Sequence, residues 1–311
     1  MSTGSPVVTV VITTRDRQQL ADRALASVLG QTMGDLEVVI MDDGSAQPYR
    51  PTTADGRVSV LRHPESRGPS AARNTALAEA KGDWISFLDD DDVWLPRMLE
   101  TSLDSARAST LPPPVAVLSG IVIVDPENNV LKTRLPPTLT KGQHFFLEDL
   151  EEPGSFQTHN TLVAPVEVVR QIGGFDEGLR GSEHDDFFLR LNAQSSIVGV
   201  STANYRMSAH TGPRLSKAVL ERAEGMERTV AKHKDTFLLH RRRYGRYLST
   251  MGATYLRAGK WGSAVSATTR SIMIDPRRSE AYRWWMAALA GPHALELARR
   301  FRSPSQRGRA G

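Results

Sequence analysis

Two short apolar runs near the start of this chain break off into consecutive aspartates. Leu36 to Met41 leads into Asp42-Asp43-Gly44-Ser45, and Trp84 to Leu88 leads into Asp89-Asp90-Asp91-Asp92. A β-branched, almost wholly apolar run such as Val7 to Ile12 reads as a strand covered on both faces. Between these runs lie helical patterns. Gln18 to Leu29 carries Leu20, Ala24, Leu25 and Val28 on one face, and Ser70 to Ala80 reads as a helix with Ser70 as N-cap. Val58 to Leu61 supplies another short strand. This strand–helix rhythm predicts a parallel α/β sheet, whose ligands sit beyond the carboxyl ends of the strands. Both acidic turns fall at such ends.

Four carboxylates in a row at Asp89 to Asp92 repel one another, and no neighbouring run of Lys or Arg neutralises them. A hard divalent cation, Mn²⁺ or Mg²⁺, relieves that repulsion by taking oxygen ligands from one or two carboxylates and from substrate phosphates. In an extended turn Asp89 and Asp91 point the same way. The simpler alternative has Asp92 capping a helix that runs through Leu95 to Met98, which accounts for one or two acids but not four.

In order along the chain, these segments resemble glycosyltransferase family 2, an inverting family with the GT-A fold. The resemblance is carried by Val8 to Ile12, Thr13-Thr14-Arg15-Asp16-Arg17, Ser27 to Thr32, Leu36 to Ser45 and Arg67-Gly68-Pro69-Ser70-Ala71-Ala72-Arg73-Asn74. It continues through Gly82 to Leu88, the Asp-X-Asp motif at Asp89 to Asp91, Ile172 to Glu177 and Leu189-Arg190-Leu191, and so covers about residues 7–215. It implies a metal-dependent transfer of a sugar, with inversion, from a UDP- or dTDP-sugar to a hydroxyl of a glycan, lipid-linked or small-molecule acceptor. By position, Thr13, Arg15 and Asp42 would contact the nucleoside, with Asp42 on the pyrimidine. Gly68 and Arg73 would lie along the nucleotide pocket and Asp90 near the ribose. Asp91 would hold the metal on the diphosphate, assisted by Asp89.

Inversion needs a base for the acceptor hydroxyl. The family places a Glu-Asp pair before the helix that ends in Leu-Arg-Leu. Counting back from Arg190, the aspartate position is His184, a competent base near neutral pH; Asp185 and Glu183 are the alternatives. His210, with Ser216, resembles the family's late histidine and would complete the metal site. His159 and Asn160 are candidates to line the sugar or acceptor site. A nucleotidyltransferase forming nucleotide-sugars is a rival reading, but it would carry a Gly-rich loop after the first strand, where this chain has none. A non-catalytic nucleotide-sugar binder is the other.

After about residue 241 the pattern turns helical. Tyr244, Leu248, Met251 and Tyr255 are helically spaced, Gly259 suits a C-cap, and helices follow at Ala264 to Ile274 and Ser279 to Leu289. Gly252 to Lys260 resembles one tetratricopeptide-like hairpin, which would pack on the catalytic domain or on another subunit. The expected organisation is therefore a GT-A domain at 1–225, an all-α extension at 226–302 and a disordered tail at 303–311. A homodimer through the C-terminal helices is an option.

Residues 241–311 hold 15 Lys+Arg against 3 Asp+Glu, while the other 240 residues hold 24 against 32. The basic segment suits a solvated helical face or an anionic surface. No nucleic-acid-binding motif accompanies its arginines, so no nucleic-acid partner is expected. The chain has no cysteine, no secretory-type N-terminus and no apolar run near the roughly 20 residues a membrane helix needs. The expected setting is the cytoplasm, with peripheral attachment to the inner face of the membrane as a variant.

Overall fold

The computed structural model describes residues 6–148, 150, 156–208 and 216–291. The chain divides into two compact units, one comprising residues 1–179 and 183–212, the other 180–182 and 213–311.

The first unit is built on a nine-stranded mixed sheet. In chain order its elements are β1 (Val8–Thr14), α1 (Gln18–Leu29), β2 (Leu36–Asp42), β3 (Val58–Arg62), α2 (Pro69–Glu79), β4 (Trp84–Asp89), β5 (Val93–Trp94) and α3 (Met98–Arg107). Then come β6 (Val115–Val124), β7 (Val130–Arg134), a 3-10 turn at His159–Thr161, β8 (Leu162–Pro165), α4 (Val166–Gln171), α5 (Glu183–Gln194) and β9 (Ser196–Ser208). The sheet runs in the order β3-β2-β1-β4-β8-β6-β9-β5, with β7 paired to β6. β3, β2, β1 and β4 are parallel, whereas β8 joins β4 antiparallel.

Alternation along β1 explains why this run is continuously apolar. Val8, Val10 and Ile12 enter one core with Leu25, Val28 and Leu88, while Val11 enters the other with Met41, Phe87 and Phe175. Each face therefore needs its own apolar set. The order 3-2-1-4 places a topological switch between β1 and β4, so a crevice opens beyond their carboxyl ends. Thr14 ends β1 and Asp89 ends β4.

Two local expectations change. α2 starts one residue early, at Pro69, and follows Gly68 at φ +92°, while the Ser70 hydroxyl is buried without a hydrogen-bond partner. Proline's fixed φ and missing N–H suit the first helical position, which displaces the cap. Asp92 does not cap α3, which begins at Met98 after Arg97; its carboxylate accepts a short hydrogen bond from the Tyr205 hydroxyl.

The described part of the second unit is helical: α6 (Ser216–Lys232), α7 (Lys234–Leu239), α8 (Arg241–Arg257), α9 (Trp261–Ile274) and α10 (Ser279–Leu289). α8 buries Tyr244, Leu248, Met251 and Tyr255 at helical spacing. Gly259, at φ +73°, turns the chain into α9, a left-handed conformation that favours glycine. Among the described residues no helix is long and apolar enough to cross a membrane. The expected tail at 303–311 lies outside the described residues.

Candidate active site

The two acidic turns are built differently. At the end of β2, Asp42 is buried; its Oδ1 accepts from Ser45 N at 2.8 Å, and its Oδ2 accepts from Tyr49 N at 3.0 Å and from Arg62 Nη1 at 2.8 Å. Asp43 Oδ1 faces His63 Nδ1 at 2.7 Å and accepts from Arg67 N at 2.9 Å. Its Oδ2 accepts from Ser66 Oγ at 2.7 Å and Gly68 N at 2.9 Å. Burial pushes both carboxyls up, yet these hydrogen bonds, with the charge of Arg62 for Asp42, hold both below the usual carboxylate range. Gly44 sits at φ +74° where a Cβ would meet the Glu65 backbone at 2.6 Å, so the turn and the 63–68 loop clasp each other closely.

At the end of β4 the four acids are met by partners drawn from distant segments. Asp89 Oδ1 accepts from Arg73 Nη2 at 2.8 Å, its Oδ2 accepts from Asn160 Nδ2 at 2.8 Å, and His159 Nε2 stands 3.5 Å from Oδ1. Asp90 accepts from the Thr14 hydroxyl at 2.7 Å and from Arg17 Nη1 at 3.0 Å. The same Arg17 nitrogen lies 3.3 Å from Asp91 Oδ2, and Arg23 donates to the Asp91 carbonyl at 2.6 Å. Asn160 links the set by also donating to the Tyr205 hydroxyl at 2.9 Å, which in turn holds Asp92. The arginines that the local sequence lacks thus arrive from α2 and from the β1–α1 junction. Charge repulsion within the run is met by protein groups, so it no longer argues for a cation by itself.

The electrostatics separate these acids. Burial would raise Asp89, but Arg73, His159 and Asn160 hold it well below the usual range. Asp90 goes the other way: burial, helped by the Asp91 charge, raises it despite Thr14 and Arg17. Burial and the Arg73 charge lower His159, so its ring is held neutral.

Around Asp89 several buried polar atoms have no hydrogen-bond partner: Arg73 Nη1, both ring nitrogens of His159, Asn160 Oδ1 and Glu183 Oε2. Glu183 is close enough to act electrostatically on His159. Phe175 supplies the apolar floor, with the Arg73 guanidinium 5.2 Å over its ring, His159 edge-on at 5.6 Å and Phe187 stacked at 4.3 Å. Buried polar atoms left open in this way are suited to water or a polar ligand.

Beside the acids lies a cavity of about 300 Å³ lined by Thr14, Asp16, Arg17, Gln18, Ser45, Ala46, Gln47 and Tyr49. Its wall uses Thr14 and Arg17 where the sequence reading names Thr13 and Arg15. Side chains alternate along β1, and the Thr14 hydroxyl is the one that bonds to Asp90. Arg15 is largely exposed and stands 3.7 Å from Asp16. Asp42 is beneath this wall, fixing Ser45 and Tyr49. Gly68 and Arg73 are on the α2 side, joined to Asp43 and Asp89 respectively.

Of the base candidates, His184 Nε2 stands 3.1 Å from Asp185 Oδ1, with the histidine partly exposed and Asp185 buried. Glu183 Oε2 is buried, and its charge reaches His159 electrostatically. Asp186 is bound to Arg190 at 2.9 Å, which explains one acid of this segment structurally. His210 lies outside the described residues. Among the described residues no group of three or more His, Cys, Asp and Glu side chains is arranged to hold a metal. Asp91 and Asp89 are the oxygen ligands that the sequence reading names for a hard cation, and both oxygens of Asp89 accept hydrogen bonds from Arg73 and Asn160.

The sequence reading assigned no role to Arg17, Tyr49 or Tyr205. Arg17 alone had a signal, as a second arginine next to Asp16 in the turn after a strand. The others are visible only through their partners, up to 113 residues away in sequence for Tyr205 and Asp92.

Comparison with known proteins agrees with this geometry. Residues 9–159 match glycosyl transferase family 2. The chain is 33% identical over 192 residues to the pre-mycofactocin glycosyltransferase of Mycobacterium tuberculosis, covering 59% of this chain and 38% of that protein. It is 29% identical over 133 residues to the GalNAc(5)-diNAcBac-PP-undecaprenol beta-1,3-glucosyltransferase of Campylobacter jejuni, covering 41% of each. The chain thus spans less than half the length of these curated relatives. Among solved structures, residues 1–349 of S. aureus TarS in complex with UDP superimpose with a TM-score of 0.54 at 15% identity, over 94% of this chain and 91% of that one. The α/β unit accordingly has the GT-A fold, and residues 9–159 are similar to glycosyl transferase family 2.

Proposed function

We propose that this domain transfers a sugar, with inversion, from a UDP- or dTDP-sugar to a hydroxyl acceptor. The observation that carries the reading is the juxtaposition of Asp89, Asp90 and Asp91 with a cavity of about 300 Å³ at the switch between β1 and β4. S. aureus TarS, of the same fold, has been solved with UDP and with UDP-GlcNAc. The nucleoside enters the cavity along Thr14, Arg17 and Tyr49, and Asp42 supports that wall from behind. Asp91, with Asp89, would hold Mn²⁺ or Mg²⁺ against the diphosphate, with His210 as the expected third ligand. The cation would supply charge neutralisation for the departing diphosphate. Arg73, held over Phe175 and against Asp89, offers an unpaired N–H to the same region.

On the acceptor side His184 takes the hydroxyl proton as that oxygen attacks the anomeric carbon. The new C–O bond forms opposite the breaking bond to the diphosphate, and the nucleoside diphosphate leaves with the bonding pair. Asp185 orients the His184 ring and stabilises its protonated form. Glu183, within electrostatic reach of His159, is suited to hold a sugar or acceptor hydroxyl. The relative from C. jejuni is named for a PP-undecaprenol acceptor. A lipid-linked acceptor met at the inner face of the membrane is therefore the class this reading favours. The α8–α9 hairpin is read as tetratricopeptide-like on the strength of its two antiparallel helices and the left-handed Gly259 between them.

The test is release of UDP or dTDP from a panel of nucleotide-sugars, with Mn²⁺ or Mg²⁺ and with chelator. Metal-dependent release supports the reading. Neither release nor binding, or pyrophosphate formation from UTP, overturns it. The base is tested by His184→Ala, which should lower kcat about 10²- to 10⁴-fold, and by His184→Asp, which should restore transfer with the acid limb of the pH profile moved to lower pH. Unchanged turnover in His184→Ala transfers the role to Asp185 or Glu183, to be separated by Asp185→Asn and Glu183→Gln.

A further inference from the structure

Among the described residues two that are not glycine adopt a positive φ, Asn128 at +66° and Asp16 at +55°. Asn128 sits between β6 and β7, where a left-handed residue is an ordinary way to reverse a hairpin. Asp16 sits between β1 and α1 and lines the cavity beside the acids. The left-handed region is unfavourable for any residue with a side chain, and Asp and Asn tolerate it best because their short polar groups bond to nearby backbone. Such a conformation persists where its surroundings fix it.

For Asp16 the surroundings are the loop that follows β2. Asp16 N donates to Ser45 Oγ at 2.9 Å, and Ala46 N donates back to Asp16 Oδ1 at 2.7 Å. Two residues on, Gln18 repeats the pattern: its Nε2 donates to Arg50 O at 2.7 Å, and its Oε1 accepts from Arg50 N at 3.2 Å. Two reciprocal pairs therefore stitch the β1–α1 turn to the 45–50 loop, and Asp16, Gln18, Ser45 and Ala46 all line the cavity. The turn has a second consequence. Thr14 before it and Arg17 after it both reach the Asp90 carboxylate, at 2.7 Å and 3.0 Å. In an extended chain residues three apart point to opposite faces and stand about 10 Å apart. A reversal between them is needed, and Asp16 supplies its left-handed residue.

We propose that Asp16 is a positioning residue for the nucleotide. It sets the width of the cavity by tying the 45–50 loop to the β1–α1 turn, and it directs Arg17 to the acids without itself touching the reacting atoms. The inference rests on the functional reading that this cavity takes the nucleoside of the donor. The other carboxylate oxygen, Oδ2, stands 3.7 Å from Arg15 Nε, and both side chains are more than half exposed, so that ion pair contributes little. What the position requires is one acceptor oxygen and tolerance of a positive φ, not the negative charge. Asparagine supplies both, glycine only the φ, and alanine neither.

The test is binding of UDP and dTDP to the full chain by titration calorimetry, for the parent, Asp16→Asn, Asp16→Gly and Asp16→Ala. KM and kcat for nucleotide release from a nucleotide-sugar are measured on the same preparations. Nucleotide affinity should fall about fivefold in Asp16→Gly and about tenfold in Asp16→Ala, through the lost bond and the smaller share of chains with the cavity formed. Asp16→Asn should stay within about twofold of the parent. KM should rise with the dissociation constant while kcat falls by less, because saturating donor restores the formed cavity. Should Asp16→Ala fail to fold, Asp16→Asn and Asp16→Gly differ by the acceptor and still decide the case. Asp16→Gly binding as tightly as the parent overturns the proposal. So does Asp16→Asn binding as weakly as Asp16→Gly, which would make the charge the essential feature, or a fall in kcat with KM unchanged. A parent chain that binds neither nucleotide removes the functional reading and this inference together. A parent that binds and turns over while the variants match it removes the inference alone.

Discussion

The turns after β2 and β4 look alike in sequence, both acidic and both ending a buried parallel strand, but they are satisfied in opposite ways. Asp42 and Asp43 are met chiefly by backbone N–H groups and by side chains within 25 positions, and each oxygen of both carboxylates has a partner. Asp89 to Asp92 are met by side chains from β1, α1, α2, the 3-10 turn and β9, and the groups that meet them keep unpartnered atoms. The first turn is closed by its own partners, and the second keeps unpartnered polar atoms around it. Partners that are fully used hold a loop in place, whereas partners that keep unpartnered atoms have capacity for a ligand.

This contrast can be broken by substitution, and the largest expected effect belongs to the second turn. Asp91→Ala should lower glycosyl transfer by about a thousandfold while shifting the melting temperature little, since Asp91 is partly exposed at the crevice. Steady-state UDP release and a thermal melt on one preparation check it; a large loss of stability would make this turn structural too. Asp43→Ala should do the reverse. It leaves His63, Ser66 and the N–H groups of Arg67 and Gly68 without their acceptor, and should cost about 3 kcal/mol in urea unfolding. Asn160→Ala bridges the two cases. It removes donors to Asp89 and Tyr205, for an expected loss of about 1–2 kcal/mol, together with weaker nucleotide-sugar turnover.

The smallest effect is in the acid limb of stability. Asp42, Asp43 and Asp89 are all held below their ordinary values in the folded chain. Each therefore adds stability that is complete above the unfolded carboxylate value near pH 4 and disappears as pH falls below it. Asp43→Asn should flatten the stability profile below about pH 4 and leave its shape near neutrality unchanged. An acid limb as steep as that of the parent chain would remove the clasp from the account.

The strands and helices of the first hundred residues were legible because burial on both faces demands unbroken apolar runs, and Gln18–Leu29 carries a clear helical stripe. The C-terminal helices were legible for the same reason. Misreadings arose where a neighbour decided the outcome. Pro69 took the first helical position from Ser70, and Tyr205 took Asp92 from α3.

Strand patterning, the two acidic turns at carboxyl ends and the family likeness are properties of local residue order, and local order was enough to establish them. What meets each acid is decided by groups that folding brings together, Arg73 from 16 positions away and Asn160 from 71. Charge neutralisation acts through space within a few ångströms. Only the order β3-β2-β1-β4-β8 sets Arg17, Arg73, His159 and Asn160 around the same carboxylates.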